Sequence, residues 1–217
     1  MSSSALSVNR PRRRGWLSVS LRSLLVLFTI LAVWMAIVAN RARHQRRLVA
    51  ALSQVPGAMI MYDHEWDLSA GGEIPMPLPL GPRPGPLWLR SRLGDEYFDT
   101  VIGVFLTGRW EDGSAEEVRQ NVQLVGELPN LRVLSLEKSP VTDDALAAVA
   151  GQTDLVYFWL DDTQISDAGL VHLRRMQRLK YLYIRNSRVT DAGIEALKRD
   201  LPNMRIVYGM PGEQKIK

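Results

Sequence analysis

Residues 131–201 read LRVLSLEKSPVTDDALAAVAGQTDLVYFWLDDTQISDAGLVHLRRMQRLKYLYIRNSRVTDAGIEALKRDL, and one pattern occurs three times in this stretch at an interval of 24 residues. The pattern is L-x-x-L-x-L-x-x-[ST]-x-[VI]-[TS]-D-x-[AG]-[LI]-x-x-[LV]. Its repeats occupy residues 131–154, 155–178 and 179–201. Self-similarity at a fixed interval predicts that each repeat is one structural unit and that the units stack on one another.

The turn of these repeats carries a resemblance to a known family. It reads S-D-A-G-L at residues 166–170 and T-D-A-G-I at residues 190–194. These residues resemble the short leucine-rich repeats of the ribonuclease-inhibitor-like group, in the variant whose turn reads T-D-A-G-L, and the interval is typical of such repeats. The resemblance implies an α/β fold, a leucine-rich repeat solenoid in which helices back a short parallel sheet. It says little about function, because one fold serves many partners.

The charge of the chain is divided between its two ends. Residues 1–62 hold nine arginines and no acidic residue, whereas the remainder holds 18 basic and 23 acidic residues and has a net charge of −5. A nucleic-acid groove would need clustered Lys and Arg on one face, so we expect no nucleic-acid partner. The chain has no cysteine, which excludes a disulfide framework and a thiolate metal site.

The N-terminal part contains a segment suited to a bilayer. Residues 1–15 are basic and Ser-rich without a periodic apolar face, which predicts a disordered tail. In residues 16–39, the run 24–39 has Thr29 as its only polar side chain. About twenty apolar residues cross a bilayer core as a helix. Residues 16–39 are therefore predicted to be a single transmembrane helix that makes the lipid bilayer a partner of the chain.

Two other interpretations of residues 16–39 stay open. A cleaved signal peptide is disfavoured because the apolar run is long and four arginines follow it at residues 41–47. A buried core helix is disfavoured because this segment is apolar all round. The arginines on its two flanks are balanced, so the positive-inside rule does not fix the orientation. We favour a cytoplasmic N-terminus and an exported repeat domain.

Three segments lead from this helix to the repeats. Residues 40–55 are predicted to form a juxtamembrane helix with its arginines at anionic headgroups. Residues 56–68 are predicted to form a short strand and a loop. Residues 69–86 contain six prolines, which exclude a helix or a central strand. This Pro/Gly-rich stretch is predicted to be a linker that spaces the C-terminal domain from the membrane.

The leucine-rich repeat domain is predicted to span residues 87–217. Residues 87–93 are predicted to form a short helix. A degenerate unit follows, in which three apolar residues precede the strand leucines of the first regular repeat by thirty residues: Val101, Val104 and Leu106. Ser114 and Glu117 have the spacing of a capping box. Residues 205–208 are predicted to add a last strand.

Two polar positions recur in every unit. One set precedes an aspartate and is predicted to cap the helices: Thr142, Ser166 and Thr190. The other is predicted to hydrogen-bond the backbone where it bends between units: Ser139, Thr163 and Ser187.

The residues between the inward leucines of each strand are predicted to face the concave side of the sheet, because side chains alternate along a strand. Adjacent strands lie about 4.8 Å apart, so equivalent residues of successive units become neighbours. Four aromatic residues are expected to form one patch, with a fifth in the degenerate unit: Tyr157, Trp159, Tyr181, Tyr183 and Phe105. Three charged residues are expected to surround it: Glu137, Asp161 and Arg185.

These eight residues are the predicted partner-binding site. Trp, Tyr and Arg dominate binding hot spots, and an exposed aromatic patch indicates a partner. The alternative is that aromatic residues simply suit strands and that residues 58–68 fold back over them.

Signals for catalysis are few. Residues 63–67, Asp-His-Glu-Trp-Asp, carry metal-capable side chains but match neither H-E-x-x-H nor EF-hand spacing. No nucleotide-binding loop or nucleophile motif occurs. We therefore predict no catalytic residue, no metal and no cofactor.

Three hypotheses of function follow. The favoured one is a membrane-anchored, non-catalytic protein-interaction module of bacterial type, with a protein partner whose identity the sequence does not give. The second is a structural envelope protein that self-associates. The third is a metal-dependent enzyme that uses the residues around His64.

Overall fold

The computed structural model describes residues 20–67, 76–77, 83–107, 115–209 and 215–216. The chain divides into two compact units, Met1–Ala39 and Asn40–Lys217. The predicted tail 1–15 lies outside the described residues, as do residue 68 and residues 69–75 and 78–82 of the Pro-rich stretch. The tail and the linker therefore stay predictions.

The first element is one long helix, α1 (Leu21–Leu52). Its most apolar 18-residue window has a mean hydropathy of 2.3 and no buried residue. Among the described residues, this is the helix long and apolar enough to cross a membrane, and a signal sequence would meet the same criterion. Exposed side chains such as Trp34, at 60%, disagree with the alternative of a buried core helix.

A mixed sheet of seven strands forms the second unit. Its order is β1 (Ala58–Tyr62), β4 (Val101–Leu106), β5 (Val133–Ser135), β6 (Tyr157–Trp159), β7 (Tyr181–Arg185), β8 (Arg205–Gly209) and β9 (Lys215–Ile216). Strands β4 to β8 are parallel, and β1 and β9 pair antiparallel at the two edges. A separate pair consists of β2 (Trp66–Asp67) and β3 (Met76–Pro77).

Helices follow the strands along the chain. They are α2 (Leu87–Leu93), α3 (Ala115–Gly126), α4 (Asp143–Leu146), α5 (Asp167–Leu170) and α6 (Asp191–Asp200). Helices α4 and α5 are each continued by a three-residue 3-10 turn. Every repeat therefore contributes one strand and one helical segment, in the order that the sequence predicts.

One interior row of side chains runs through the parallel strands. The register aligns Leu134 with Phe158 and Phe158 with Leu182. All three side chains are fully buried. The predicted alignment of these positions is confirmed, because an interval of 24 residues returns the chain to the same place on the next strand.

Residues before the Pro-rich stretch belong to the same core as the repeats. Leu48, Leu52 and Val55 are buried in it, and Ala58 of β1 pairs with Leu106 of β4. This arrangement differs from the prediction that residues 56–68 lie outside the repeat domain. The physical reason is that β4 would otherwise be an open edge strand, which β1 covers.

The aspartates that start the helices connect neighbouring units. The carboxylate of Asp143 accepts hydrogen bonds from the backbone N–H and the hydroxyl of Ser166, at 2.8 and 2.5 Å. Asp167 accepts the same pair from Thr190, at 2.8 and 2.6 Å. Asp191, in the last unit, pairs with Lys215 of β9 instead, at 3.0 Å. The first-turn aspartates therefore do more than favour a helix N-terminus.

The recurring hydroxyls act within their own units. Each donates to the carbonyl oxygen three residues earlier, Ser139 to Leu136, Thr163 to Leu160 and Ser187 to Ile184, over 2.5 to 3.1 Å. The predicted hydrogen bond from each hydroxyl to the bending backbone is confirmed, and its acceptor is a carbonyl oxygen of the same unit. A hydroxyl is short and donates one proton, which its own turn accepts.

A left-handed backbone conformation recurs at the end of each repeat strand. Lys138, Asp162 and Asn186 have φ values of 56°, 56° and 49°. Asp and Asn tolerate this conformation because their side chains hydrogen-bond locally, and Asn186 Nδ2 donates to Asp162 Oδ1 at 2.6 Å. Lysine has no such compensation.

We expect Lys138→Gly to raise the free energy of unfolding by about 0.5–1 kcal/mol, because glycine removes the steric cost of the left-handed conformation and this gain exceeds its own entropic cost. Urea denaturation of the full chain in detergent measures the change. Lys180→Gly is the matched control, an exposed lysine without a positive φ, and it should be destabilising. Equal effects of the two substitutions would contradict the explanation.

Candidate functional site: an aromatic sheet face

Two columns of side chains cross the sheet on the face opposite the leucine row. The first runs through Gly103, Val133, Tyr157 and Tyr181, and the second through Phe105, Ser135, Trp159 and Tyr183. Each column takes one residue from each of the strands β4 to β7. The predicted neighbours from successive units are thus brought together.

The aromatic rings of these columns stack. The centroids of Tyr157 and Tyr181 are 5.0 Å apart with 6° between the ring planes, and those of Trp159 and Tyr183 are 5.5 Å apart with 7°. Tyr157 also stacks on Trp159 across the columns at 5.8 Å. Spacings of this size stabilise aromatic pairs, so the rings hold one another in fixed orientations. We call Tyr157, Trp159, Tyr181 and Tyr183 the aromatic patch.

Small residues bring the β4 and β1 side chains onto this patch. Ser135 separates Phe105 from Trp159 in the column, yet the two rings approach to 6.0 Å, and Ser135 is buried. At Gly103, a Cβ would lie 2.7 Å from Sδ of Met61. Met61 therefore packs with Val133 and Tyr157 in one buried cluster.

This packing determines which residues of the aromatic patch are exposed to solvent. Trp159, Tyr181 and Tyr183 are half-buried, whereas Tyr157 is only 2% exposed. The expectation that Tyr157 faces solvent is wrong, because Met61 and Val133 pack beside it. The alternative interpretation is that residues 58–68 fold back over the patch. Met61 does so, because its strand β1 pairs at the edge of the sheet.

The charged residues around the patch are not equivalent. Asp161 is buried. Its carboxylate accepts hydrogen bonds from the backbone N–H of Arg185 at 2.6 Å and from Nε and Nη2 of the Arg185 guanidinium at 3.0 and 2.5 Å. This bonding raises the pKa of Arg185. The side chain of Arg185 is 42% exposed, so its guanidinium is both fixed and accessible. Glu137 is half-exposed. Asp161 is therefore a support for Arg185 rather than an open contact residue.

The metal-capable stretch at residues 63–67 brings several carboxylates near His64. Among the residues that the structure describes, no group of three or more His, Asp or Glu side chains is placed to hold a metal ion. The two ring nitrogens of His64 face different carboxylates, Asp63 and Asp99 on one side and Glu65 on the other. A single ion would not reach all of them.

Comparison with known proteins gives partial likenesses to solved structures only. No protein-family model and no curated protein matches the chain. Among solved structures, an internalin C2 from Listeria monocytogenes str. 4b F2365 matches with 20% sequence identity and a TM-score of 0.37, over 49% of this chain and 52% of that chain. The chain thus spans about half the length of that protein. At such a TM-score, the likeness carries no argument about what this chain binds.

Proposed function

We propose that this chain is a membrane-anchored, non-catalytic protein-interaction module that binds a protein partner through the aromatic patch. In this proposal, its repeats are a leucine-rich repeat solenoid of the ribonuclease-inhibitor-like kind. Residues 16–39 are the anchor that crosses the bilayer once, with the repeat domain exported.

The observation that carries the proposal is the preorganised set of half-exposed rings beside a fixed arginine. Trp159, Tyr181 and Tyr183 stack within 6 Å of a neighbour, and Arg185 is held by a buried carboxylate. Binding hot spots are enriched in these residue types. Side chains already fixed in the free protein lose less entropy on binding, so this face suits a protein partner.

The membrane anchor is supported by α1. Its apolar window is exposed over its whole length and carries the hydropathy of a bilayer-spanning helix. Exposed apolar side chains on this scale are costly in water and are stable in lipid. A protein held in the membrane meets its partner at a high local concentration, so a small binding surface is sufficient.

Photo-cross-linking tests the binding face in the full chain, in its native membrane. A benzophenone side chain replaces Tyr183, and the matched control carries it in place of Val171, which is 50% exposed in the helical segment of the preceding repeat. We expect a discrete cross-linked protein from position 183 and none from position 171. Cross-links of equal yield from both positions would contradict the proposal. A product of twice the chain's own mass would assign the face to self-association instead.

Trp159→Ala, added to the chain with the cross-linker at position 183, should reduce the cross-linked product by about tenfold or more, since a hot-spot residue contributes at least about 2 kcal/mol to binding. Trp88→Ala is the control, because Trp88 is 67% exposed on α2 and lies outside the patch. Circular dichroism should show unchanged secondary structure in both variants. Unfolding of the Trp159→Ala variant would show that this side chain serves the core, against the proposal.

A further inference from the structure

One line of side chains on the aromatic sheet face crosses all seven strands of the sheet. The strand registers place its members side by side, one residue from each strand: Met59, Phe105, Ser135, Trp159, Tyr183, Val207 and Ile216. Paired residues of neighbouring strands point to the same face of a sheet. We call these seven residues the apolar row, since every member except Ser135 is apolar or aromatic. The apolar row extends the aromatic patch to both edges of the sheet.

The apolar row is most exposed at its two ends. Met59 on β1 is 56% exposed and Ile216 on β9 is 59% exposed, while Phe105, Trp159 and Tyr183 are half-buried. Six strand spacings of about 4.8 Å separate the two ends, so the row is about 29 Å long. A contiguous exposed apolar surface indicates a binding partner. A partner that covers the whole row must itself be elongated.

The chemistry of the row determines which backbone conformation an elongated partner can have. Backbone N–H and C=O groups that are buried without a hydrogen bond cost free energy. The row offers few polar groups to a bound backbone, because Ser135 is only 1% exposed and the aliphatic members have none. An extended segment across the strands would bury its backbone groups against these side chains. An α-helix hydrogen-bonds its own backbone, so a helix covers the row without that loss.

The spacing of the row also suits a helix. The apolar stripe of an amphipathic helix returns at every turn, after about 5.4 Å, which is close to the 4.8 Å between strands. Same-face side chains of an extended segment return only after about 6.7 Å. A length of about 29 Å corresponds to a helix of about 19 residues. Docking of such a helix into an apolar surface is a common mode of peptide recognition.

Exposed positive charge lies beside the row at β7 and β8. The side chain of Arg185 on β7 is 42% exposed. Arg205 on β8 is exposed on the same face, since it is in register with Tyr181. Of the carboxylates on this face, Glu137 is half-exposed next to β5 and Asp161 is buried. The charge at β7 and β8 therefore favours acidic residues in the partner.

We propose that the apolar row binds an amphipathic α-helix of a partner protein, about 19 residues long, with acidic residues where it crosses β7 and β8. One apolar face of that helix packs along the row from Met59 to Ile216. This inference rests on the proposed function, because the apolar row contains the proposed binding face. It adds the conformation, the length and the charge of the segment that binds there.

Cross-linking from three positions of the row measures the conformation of the bound segment. A benzophenone side chain replaces Met59, Tyr183 or Ile216 in the full chain, in its native membrane, and mass spectrometry identifies the partner residue that each one reaches. For a helix, the residues reached from positions 59 and 216 should be about 19 apart in the partner's sequence, since each residue advances about 1.5 Å. The residue reached from position 183 should lie between them, about 13 residues from the one reached from position 59.

The other outcomes separate this inference from the proposed function. Partner residues only about 9 apart, the spacing of an extended segment, or residues in no sequence order would overturn the helix and leave the binding face in place. A product of twice the chain's own mass would overturn the proposal by assigning the row to a second copy of the chain. No cross-linked protein from any of the three positions would contradict the proposed function as well.

Arg205→Glu tests the charge of the bound helix. It should reduce the cross-linked product from position 216 by about threefold or more, because it places a carboxylate against the acidic residues of the partner. Arg174→Glu is the matched control. Arg174 is an exposed arginine that pairs with Asp200 in the helical part of the repeats, and its replacement should leave the yield unchanged. Circular dichroism should show unchanged secondary structure in both variants. Equal yields from the two variants would overturn the acidic character of the helix.

Discussion

Replacing Phe158 by alanine is expected to lower the free energy of unfolding by about 3–5 kcal/mol, the cost of deleting a fully buried aromatic ring. Among the described residues, Phe158 is the largest of the fully buried side chains, and it lies between Leu134 and Leu182 in the interior row. Backbone hydrogen bonds between the parallel strands fix the spacing of the two flanking units. The cavity that the deleted ring leaves would therefore not close. Urea denaturation of the full chain in detergent measures the effect.

Val171→Ala is the control for this substitution. Val171 is an apolar residue of the same repeat but 50% exposed, and exposed positions change stability by about 0.5 kcal/mol or less. A loss below about 1 kcal/mol in the Phe158→Ala variant would contradict the position of this side chain in a shared core.

Replacing Gly193 by alanine is expected to lower the free energy of unfolding by about 1–3 kcal/mol, although alanine is the better helix former. A Cβ at this position would collide with the carboxylate of Asp167. That carboxylate accepts two hydrogen bonds from Thr190, so it cannot move away without losing the bridge between units. The same denaturation experiment measures the loss.

Two variants isolate the cause. A Cβ at Gly151 would meet no atom within 4 Å, so Gly151→Ala should change stability by about 0.5 kcal/mol or less. In an Asp167→Ala background, Gly193→Ala should no longer be destabilising, because the colliding carboxylate is gone. An unchanged penalty in that background would show by the double-mutant cycle that the glycine is required for another reason.

The leucine positions of the repeats could be predicted because each recurs at a fixed interval. Leu134, Phe158 and Leu182 therefore had to share one row once the units stacked. The glycine in the turn carried a further signal. Ala145 and Gly169 occupy the same position in successive units. The unit before Ala145 begins its helix with Ala115, whereas the unit before Gly169 begins its helix with Asp143. Glycine thus occurs where the preceding unit supplies a carboxylate that would strike a Cβ.

Other features depend on contacts that no interval encodes. The pairing of β1 with β4 joins residues on opposite sides of the Pro-rich stretch, and such long-range pairing leaves no periodic signal in the sequence. The burial of Tyr157 depends on Met61, which this pairing brings to the sheet. The surroundings of His64 likewise come from separate segments, since Asp99 lies 35 residues further along the chain.

The central claim is that residues between the inward leucines of successive repeats lie side by side on one sheet face. Paired cysteines test it directly, because the natural chain has no cysteine. Trp159 and Tyr183 are in register on neighbouring strands, at a spacing of about 4.8 Å that suits a disulfide. The pair Trp159→Cys with Tyr183→Cys should form a disulfide on mild oxidation of the full chain. The pair Trp159→Cys with Ile184→Cys should not, because Ile184 points into the core. Disulfide formation by the second pair in preference to the first would contradict the claim that these residues lie side by side on one sheet face.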